Sequence, residues 1–427
     1  MPLLPRSLLA LGLALGLAGT SGCIERKAEA PAAAAPSGAA PAPAPGPGAP
    51  AAAPLHRRGL WVLCEGSERV LEHPERVQRL IDDAHALGAS DLFVQVYRGG
   101  RAWFDSSLAD ARPFAEARAA QGRDPLRALV AAAHAAGLRV HAWVNVLQIS
   151  DNRQAPILAA LGREAVQVDR RGRSLLDYPE LRVPPPDDAW VALGTPAIWL
   201  DPGAPGVADR VVAVLDELVT RYPELDGLHL DYLRYPDVLP FLPGSRFALG
   251  LDFGYGAATR ARFHAETGRE APFGRRTAGA GAWDDWRRER VTEILRRIRA
   301  ATRARRPGLE LSAAVWFSPE RSYLSILQDW PDWLDEGLLD FAVPMLYTTD
   351  ERLLHTVARG YLGLDSRRIW LGLGSWLFAD RPSGAVTQLR FAEGLALGGD
   401  ALFSWDSIAA APALREALAA EVRRGGS

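Results

Sequence analysis

From Leu55 onward, apolar positions gather into short β-rich runs that alternate with segments of helical period. The runs are Gly59 to Cys64, Asp91 to Tyr97, Arg139 to Asn145, Asp226 to Asp231, Glu310 to Trp316, Leu339 to Leu346, Ile369 to Gly374 and Asp400 to Trp405. Helix signals lie between them. Pro74 opens a stripe of Val77, Leu80, Ile81, Ala84 and Leu87 that Gly88 stops, and Asp124-Pro125 opens another segment closed by Gly137. Eight strands with mostly helical connections predict an α/β fold, a (β/α)8 TIM barrel. Two connections are long, Leu147 to Leu200 after the third run and Arg234 to about Trp283 after the fourth. Both follow carboxyl ends of strands, the face on which such barrels carry active sites. A two-domain doubly wound fold is the alternative, but no Gly-rich nucleotide fingerprint follows the first run.

The chain before Leu55 has a different character. Arg6 followed by the apolar run Leu8 to Ala18 reads as an export signal, too short for a permanent transmembrane helix. Thr20-Ser21-Gly22-Cys23 resembles the cleavage box of bacterial lipoproteins, which makes Cys23 the expected lipidation site and the membrane an expected partner through that anchor. Ile24 after the cysteine, by the same resemblance, favours the outer membrane, so the expected location is the cell envelope, facing the periplasm. Ala28 to Pro54 is almost entirely Ala and Pro, with too little apolar side chain to fold. In polyproline geometry such a tether reaches roughly 80 Å. The expected organisation is a signal over 1–22, a lipidated cysteine and linker over 23–55, the barrel over 56–420 and a flexible tail over 421–427.

Composition narrows the chemistry. The chain has 427 residues with 49 basic and 51 acidic side chains, so no charge excess draws it to a phosphate backbone, and nucleic acid is not an expected partner. Lys27 is the only lysine, which removes Schiff-base, pyridoxal-phosphate and phosphate-loop lysine chemistry from the barrel. With Cys23 lipidated, Cys64 has no partner for an intrachain disulfide.

Alternate side chains of a barrel strand point inward, and the last inward residue reaches the open face. On the fourth run, Gly227, His229 and Asp231 share that parity, which makes Asp231 a carboxylate at the mouth, a candidate catalytic acid, base or nucleophile. His141, Trp143 and Asn145 form the matching set on the third run. His141, His229 and Asp231 also raise a metal-assisted reading, but no HxH or CxxC spacing supports it, and no metal or cofactor is assigned. The second run ends in Gln95, Tyr97 and Arg98, polar groups suited to sugar hydroxyls, and the first ends at Glu65, a candidate second carboxylate for glycoside hydrolysis. Glu320, Asp350 and Asp406 after other strands are further candidates for that second carboxylate, each reading first as a solvated loop charge, and the sequence does not choose among them. Trp103, Trp143, Trp316, Trp376 and Trp405 fall at or just beyond strand ends, where an indole can stack on a pyranose face.

The strands also resemble a family. Arg58-Gly59-Leu60-Trp61-Val62, Phe93-Val94-Gln95-Val96, Val140 to Asn145, Trp199-Leu200-Asp201-Pro202-Gly203, Asp226 to Tyr232 and Asp340 to Pro344 look like motifs of glycosyl-hydrolase-like family 10, in order over nearly all of residues 56 to 410. The resemblance implies a TIM-barrel glycoside hydrolase, commonly an exported lipoprotein, with Asp231 as the strand-end acid and Asn145 and Gln95 lining the cleft. Many relatives carry two adjacent acids where this chain has Asp231 and Tyr232, and a glutamine where it has Met345. The expected function is hydrolysis of O-glycosidic bonds in a cell-envelope polysaccharide, peptidoglycan glycan strands foremost. Asp231 and Glu65 would be the carboxylates. Gln95, Tyr97, Arg98, His141, Trp143, Asn145, His229, Tyr232, Trp316, Tyr347, Trp376 and Trp405 would hold sugar. A non-catalytic glycan-binding lipoprotein using the same cleft is the rival.

Overall fold

The computed structural model describes residues 56–241, 251–274 and 276–425, so the signal, Cys23 and the Ala/Pro linker lie outside the described residues. Eight parallel strands close into a barrel: β1 (Arg57–Val62), β2 (Asp91–Arg98), β3 (Arg139–Asn145), β4 (Gly227–Asp231), β5 (Glu310–Trp316), β6 (Phe341–Met345), β7 (Trp370–Gly374) and β8 (Gly399–Phe403). Each pairs with its sequence neighbours, and β1 pairs with both β2 and β8, leaving no edge. The expected TIM barrel is therefore the observed fold, with helices packed around it.

The barrel is filled, not hollow. Trp61, Phe93, Trp143, Ala314, Phe341, Val343, Trp370 and Ala401 form one buried interior cluster. Phe93 stacks on His229 with ring centroids 4.2 Å apart, and Phe341 on Trp370 at 4.1 Å. Gly227 makes this possible at one point, since a Cβ there would stand 2.0 Å from Nδ1 of His141. At the amino ends of the strands, Arg57 bridges Asp91 and Glu310, Arg139 reaches Glu310 at 3.0 Å, and His141 meets Asp91 at 2.9 Å. This charged floor closes the end opposite the expected active site.

The two long connections are built together. Val191–Leu193, after β3, pairs antiparallel with Val238–Pro240, after β4. Val168 accepts hydrogen bonds from Gly254 and Tyr255, zipping the connections a second time. Tyr255, Phe263, Trp283 and Trp286 form a separate small core beneath the later one. Two expectations change at the carboxyl end. The run ending at Trp405 stops as a strand at Phe403, because Ser404 caps a helix, Trp405–Ala409, through a capping box with Ser407. The final helix, Pro412–Gly425, continues through residues expected to form a tail, and its Glu421 is buried and paired with Arg390 at 2.6 Å.

Candidate active site

The carboxyl ends of the strands surround a polar cleft of about 440 Å3. Leu63, Gln95, Arg98, Trp143, Asn145, Gln148, Asp151, Thr195, Asp231, Tyr232, Met345, Tyr347 and Phe403 are among its walls. Asp231, the last residue of β4, is 5% exposed. Its Oδ2 accepts from the Trp143 indole at 3.2 Å, and its Oδ1 accepts from the Tyr232 backbone N–H at 2.7 Å. A guanidinium nitrogen of Arg234 stands 3.6 Å from Oδ1. Burial pushes the Asp231 carboxyl up from the usual range, and Arg234 and the two N–H donors offset this only in part. A buried carboxyl with a raised pKa is suited to giving up a proton as a general acid.

The backbone aims these groups. Tyr232 adopts φ 54, a left-handed conformation that non-glycine residues rarely take and that recurs where function over-determines geometry. Val146 and Leu147 donate backbone hydrogen bonds to the carbonyls of Asp231 and Tyr232, tying the two long connections at their roots. Gln328 anchors the segment after Asp231 to β5, its amide donating to the Leu233 carbonyl while its oxygen accepts from the Trp316 backbone. Arg234 is buried beneath the cleft wall, its guanidinium 4.5 Å over the Tyr232 ring. Among the described residues the buried Tyr347 hydroxyl has no hydrogen-bond partner, and its pKa is pushed well up by burial and by Asp231 and Tyr232. An unspent hydroxyl beside the carboxyl can bond a sugar oxygen.

Seven of the expected residues meet in the cleft: Gln95, Arg98, Trp143, Asn145, Asp231, Tyr232 and Tyr347. Gln95 donates to Asn145 at 3.2 Å and faces the Cys64 thiol, which orients both amides. Others lie elsewhere. A bulge between Gln95 and Tyr97 reverses the inward alternation of β2, so Tyr97 pairs with Val144 and packs outside the barrel beside Ile157 and Val214. His141 and His229 are fully buried in lower layers of the barrel. His229 accepts from the Trp61 indole at 3.1 Å, so its other nitrogen is the one that donates, to Ser312 at 2.8 Å. Both His229 nitrogens are engaged, and His141 turns to Asp91 in the floor, so His141, His229 and Asp231 do not converge as a ligand set. Trp405 is wholly buried, its indole donating to Asp83. Trp316 lies against Arg321 and Arg234, and Trp376 is exposed beyond β7; neither is among the described cleft lining.

Glu65 sits on the rim with its carboxylate held by Arg98 at 3.0 Å and Arg101 at 3.3 Å, also outside the described lining. The described lining has a second acid that sequence reading missed, Asp151, exposed on the turn after β3. Arg234 was missed too, although its place three residues after Asp231 was a usable signal.

The comparisons agree with the fold and its motifs. The glycosyl hydrolase DigH of Escherichia coli strain K12 is 25% identical over 284 residues, covering 62% of this chain and 56% of the relative. The glycosyl hydrolase YngK of Bacillus subtilis strain 168 is 23% identical over 298 residues, covering 65% and 50%. The chain thus spans about half the length of the curated relatives it matches. Among solved structures, an α-L-fucosidase isoenzyme 2 from Paenibacillus thiaminolyticus superposes with TM-score 0.52 at 14% identity, over 86% of this chain and 49% of that one. A β-galactosidase from the psychrophilic Marinomonas ef1 gives 0.53 at 12%, over 82% and 54%. These likenesses are of barrel architecture. The model of the family described as Glycosyl hydrolase-like 10 matches residues 56–358, and the chain belongs to that family.

Proposed function

We propose that this protein is a glycoside hydrolase that cleaves glycan strands of the bacterial cell envelope, peptidoglycan glycan foremost, from a lipid anchor at Cys23. The observation that carries the reading is Asp231: a buried carboxyl with a raised pKa, held by Trp143 and Tyr232, opening on a polar cleft in a barrel of the glycosyl-hydrolase-like family. In this reading Asp231 protonates the departing glycosidic oxygen. Asp151, the acid on the solvent side of the cleft, takes the proton of the attacking water. The Tyr347 hydroxyl and the Gln95–Asn145 amide pair bond sugar oxygens, and Arg98, oriented by Glu65, lies beside them.

The test is digestion of intact and amidase-stripped peptidoglycan by the full chain and by Asp231→Asn, with soluble products identified by mass spectrometry. Sugar fragments from the wild type alone support the enzyme. If neither protein releases fragments and both are retained on sacculi, the cleft binds glycan without cutting it and the hydrolase reading is lost. For the anchor, Cys23→Ser is expected to move the protein from the membrane fraction to the soluble one.

A further inference from the structure

The ribbon formed by Val191–Leu193 and Val238–Pro240 has two unlike faces. Val191 pairs with Pro240, Ala192 with Leu239 and Leu193 with Val238, and Phe241 continues the ladder by donating its N–H to the Trp190 carbonyl at 2.9 Å. Side chains alternate along each strand and directly opposed residues share a face. Val191, Leu193 and Val238 therefore point one way, and all three are buried. Ala192 and Leu239 point the other way; Leu239 is 37% exposed, and Trp190 and Phe241, which flank the ladder, are each 58% exposed. Two aromatic rings and a leucine exposed at the same end of a paired ribbon, with the Phe241 N–H bonded to the Trp190 carbonyl, require an explanation, because large apolar side chains gathered in water are less ordinary than scattered ones.

The position of the ribbon identifies its occupant. Leu193 runs directly into Gly194, Thr195 and Pro196, and the last two line the cleft that holds Asp231. The base is fixed: Gly194 donates to the Asp237 carbonyl at 3.0 Å and packs so closely that a Cβ would meet the Asp237 carboxylate at 1.7 Å. Trp190 is five residues from Thr195, so the aromatic face lies no farther than roughly 18 Å of chain from the cleft wall. That is within reach of a polymer leaving the cleft. Trp and Phe rings stack on the apolar C–H faces of pyranoses, whereas a site for an anionic headgroup or peptide would need charge on the ribbon.

We propose that Trp190, Leu239 and Phe241 form a distal sugar platform that holds the outgoing strand of a polysaccharide and makes the protein prefer long glycans to short ones. This rests on the glycan reading above for the cleft, but it concerns binding and can be tested apart from cleavage. None of the platform side chains is among the described cleft lining, so their removal leaves cleavage of a short substrate unchanged.

The experiment compares the full chain carrying Asp231→Asn with the same chain carrying Trp190→Ala and Phe241→Ala as well. Both are co-sedimented with amidase-stripped glycan strands, and binding of soluble short oligosaccharides cut from those strands is measured alongside. Loss of roughly tenfold or more in affinity for the strands, with short-oligosaccharide binding intact, is the expected result. Equal binding of strands by both proteins overturns the platform, as does failure of the parent carrying only Asp231→Asn to bind strands. If the aromatic substitutions leave strand binding intact but abolish self-association or vesicle binding shown by the parent, the face is a protein or lipid contact and the proposal is overturned. Cleavage by the chain with native Asp231 is scored separately. Strand binding that depends on Trp190 and Phe241 without any sugar release sinks the hydrolase reading and keeps the platform. Tyrosine at both positions restores strand binding if ring stacking is the cause.

Discussion

The indole N–H of Trp143 reaches Oδ2 of Asp231 across 3.2 Å, from a position one step lower on the neighbouring strand. An indole can only donate, so the contact favours the ionised carboxylate and works against the burial that raises its pKa. Trp143→Phe keeps the ring and removes the donor. With Asp231 as the acid, the alkaline limb of kcat against pH reports its loss of a proton. Removing a stabiliser of the anion is expected to move that limb upward by about one pH unit, since a hydrogen bond to a charged group is worth about 1.5 kcal/mol or more. Arg234→Met is expected to move it the same way. A limb that stays or falls in both variants contradicts the role given to Asp231.

The second carboxylate is separable by mutation. Glu65 is spent on Arg98 and Arg101, whereas Asp151 faces the cleft. Asp151→Asn is expected to lower kcat by about a hundredfold, in the range of a lost general base, with little change in KM. Glu65→Gln is expected to raise KM a few-fold through a loosened Arg98, with kcat nearly unchanged. Steady-state kinetics on a soluble glycan fragment separate the two, and the reverse pattern returns the catalytic role to Glu65.

Much of this architecture is legible in the chain because strand parity is a local property. The alternation Gly227, His229, Asp231 placed Asp231 at the mouth, and Asn145, its partner in register, came with it. The same rule misled wherever the backbone departed from regular alternation. The bulge beyond Gln95 turned Tyr97 outward, and the capping box at Ser404 rotated Trp405 into the core. Depth was the other blind spot. His141 and His229 have the right parity but sit in lower layers, and sequence shows the period of a strand without showing how many layers lie beneath its end. Asp151 and Arg234 come from the long connections, whose conformation depends on pairing between distant segments such as Val191–Leu193 and Val238–Pro240.

The barrel floor is expected to matter for stability and not for chemistry. Arg57 donates to Asp91 and Glu310 and lies 4.7 Å over the Trp370 ring. Burial would raise the Asp91 carboxyl, but hydrogen bonds from His141 and Arg57 outweigh it and hold it well below the usual range. A carboxyl with a depressed pKa contributes stability that is present above its unfolded pKa and lost as pH falls toward the folded one. Arg57→Met leaves two acids short of a partner and is expected to cost about 3 kcal/mol at pH 7, and less below pH ~4, where carboxyls protonate. Urea unfolding at the two pH values measures this. kcat at a temperature where the variant is folded is expected to match the wild type.

Asp201 is expected to behave in the opposite sense. It is fully buried, accepts from Thr259 at 2.8 Å and from the Gly203 backbone at 2.9 Å, and pins the end of the long connection after β3 to the helix Ala257–Thr267. Burial outweighs both donors and pushes its pKa up to about 6. The unfolded value is about 3.9, so between the two the native state binds the extra proton and stability falls as pH rises. The penalty is absent below pH ~4, complete above pH ~6, and amounts to about 3 kcal/mol at one to two kcal/mol per pH unit. Asp201→Asn keeps the shape and an acceptor while removing the ionisation. The variant is expected to equal or exceed the wild type in urea-unfolding stability at pH 7, and to lose that advantage at pH 4.5. Other titrating groups cancel in the difference between the two proteins, so a difference that does not change with pH shows that Asp201 does not titrate between pH 4 and 6.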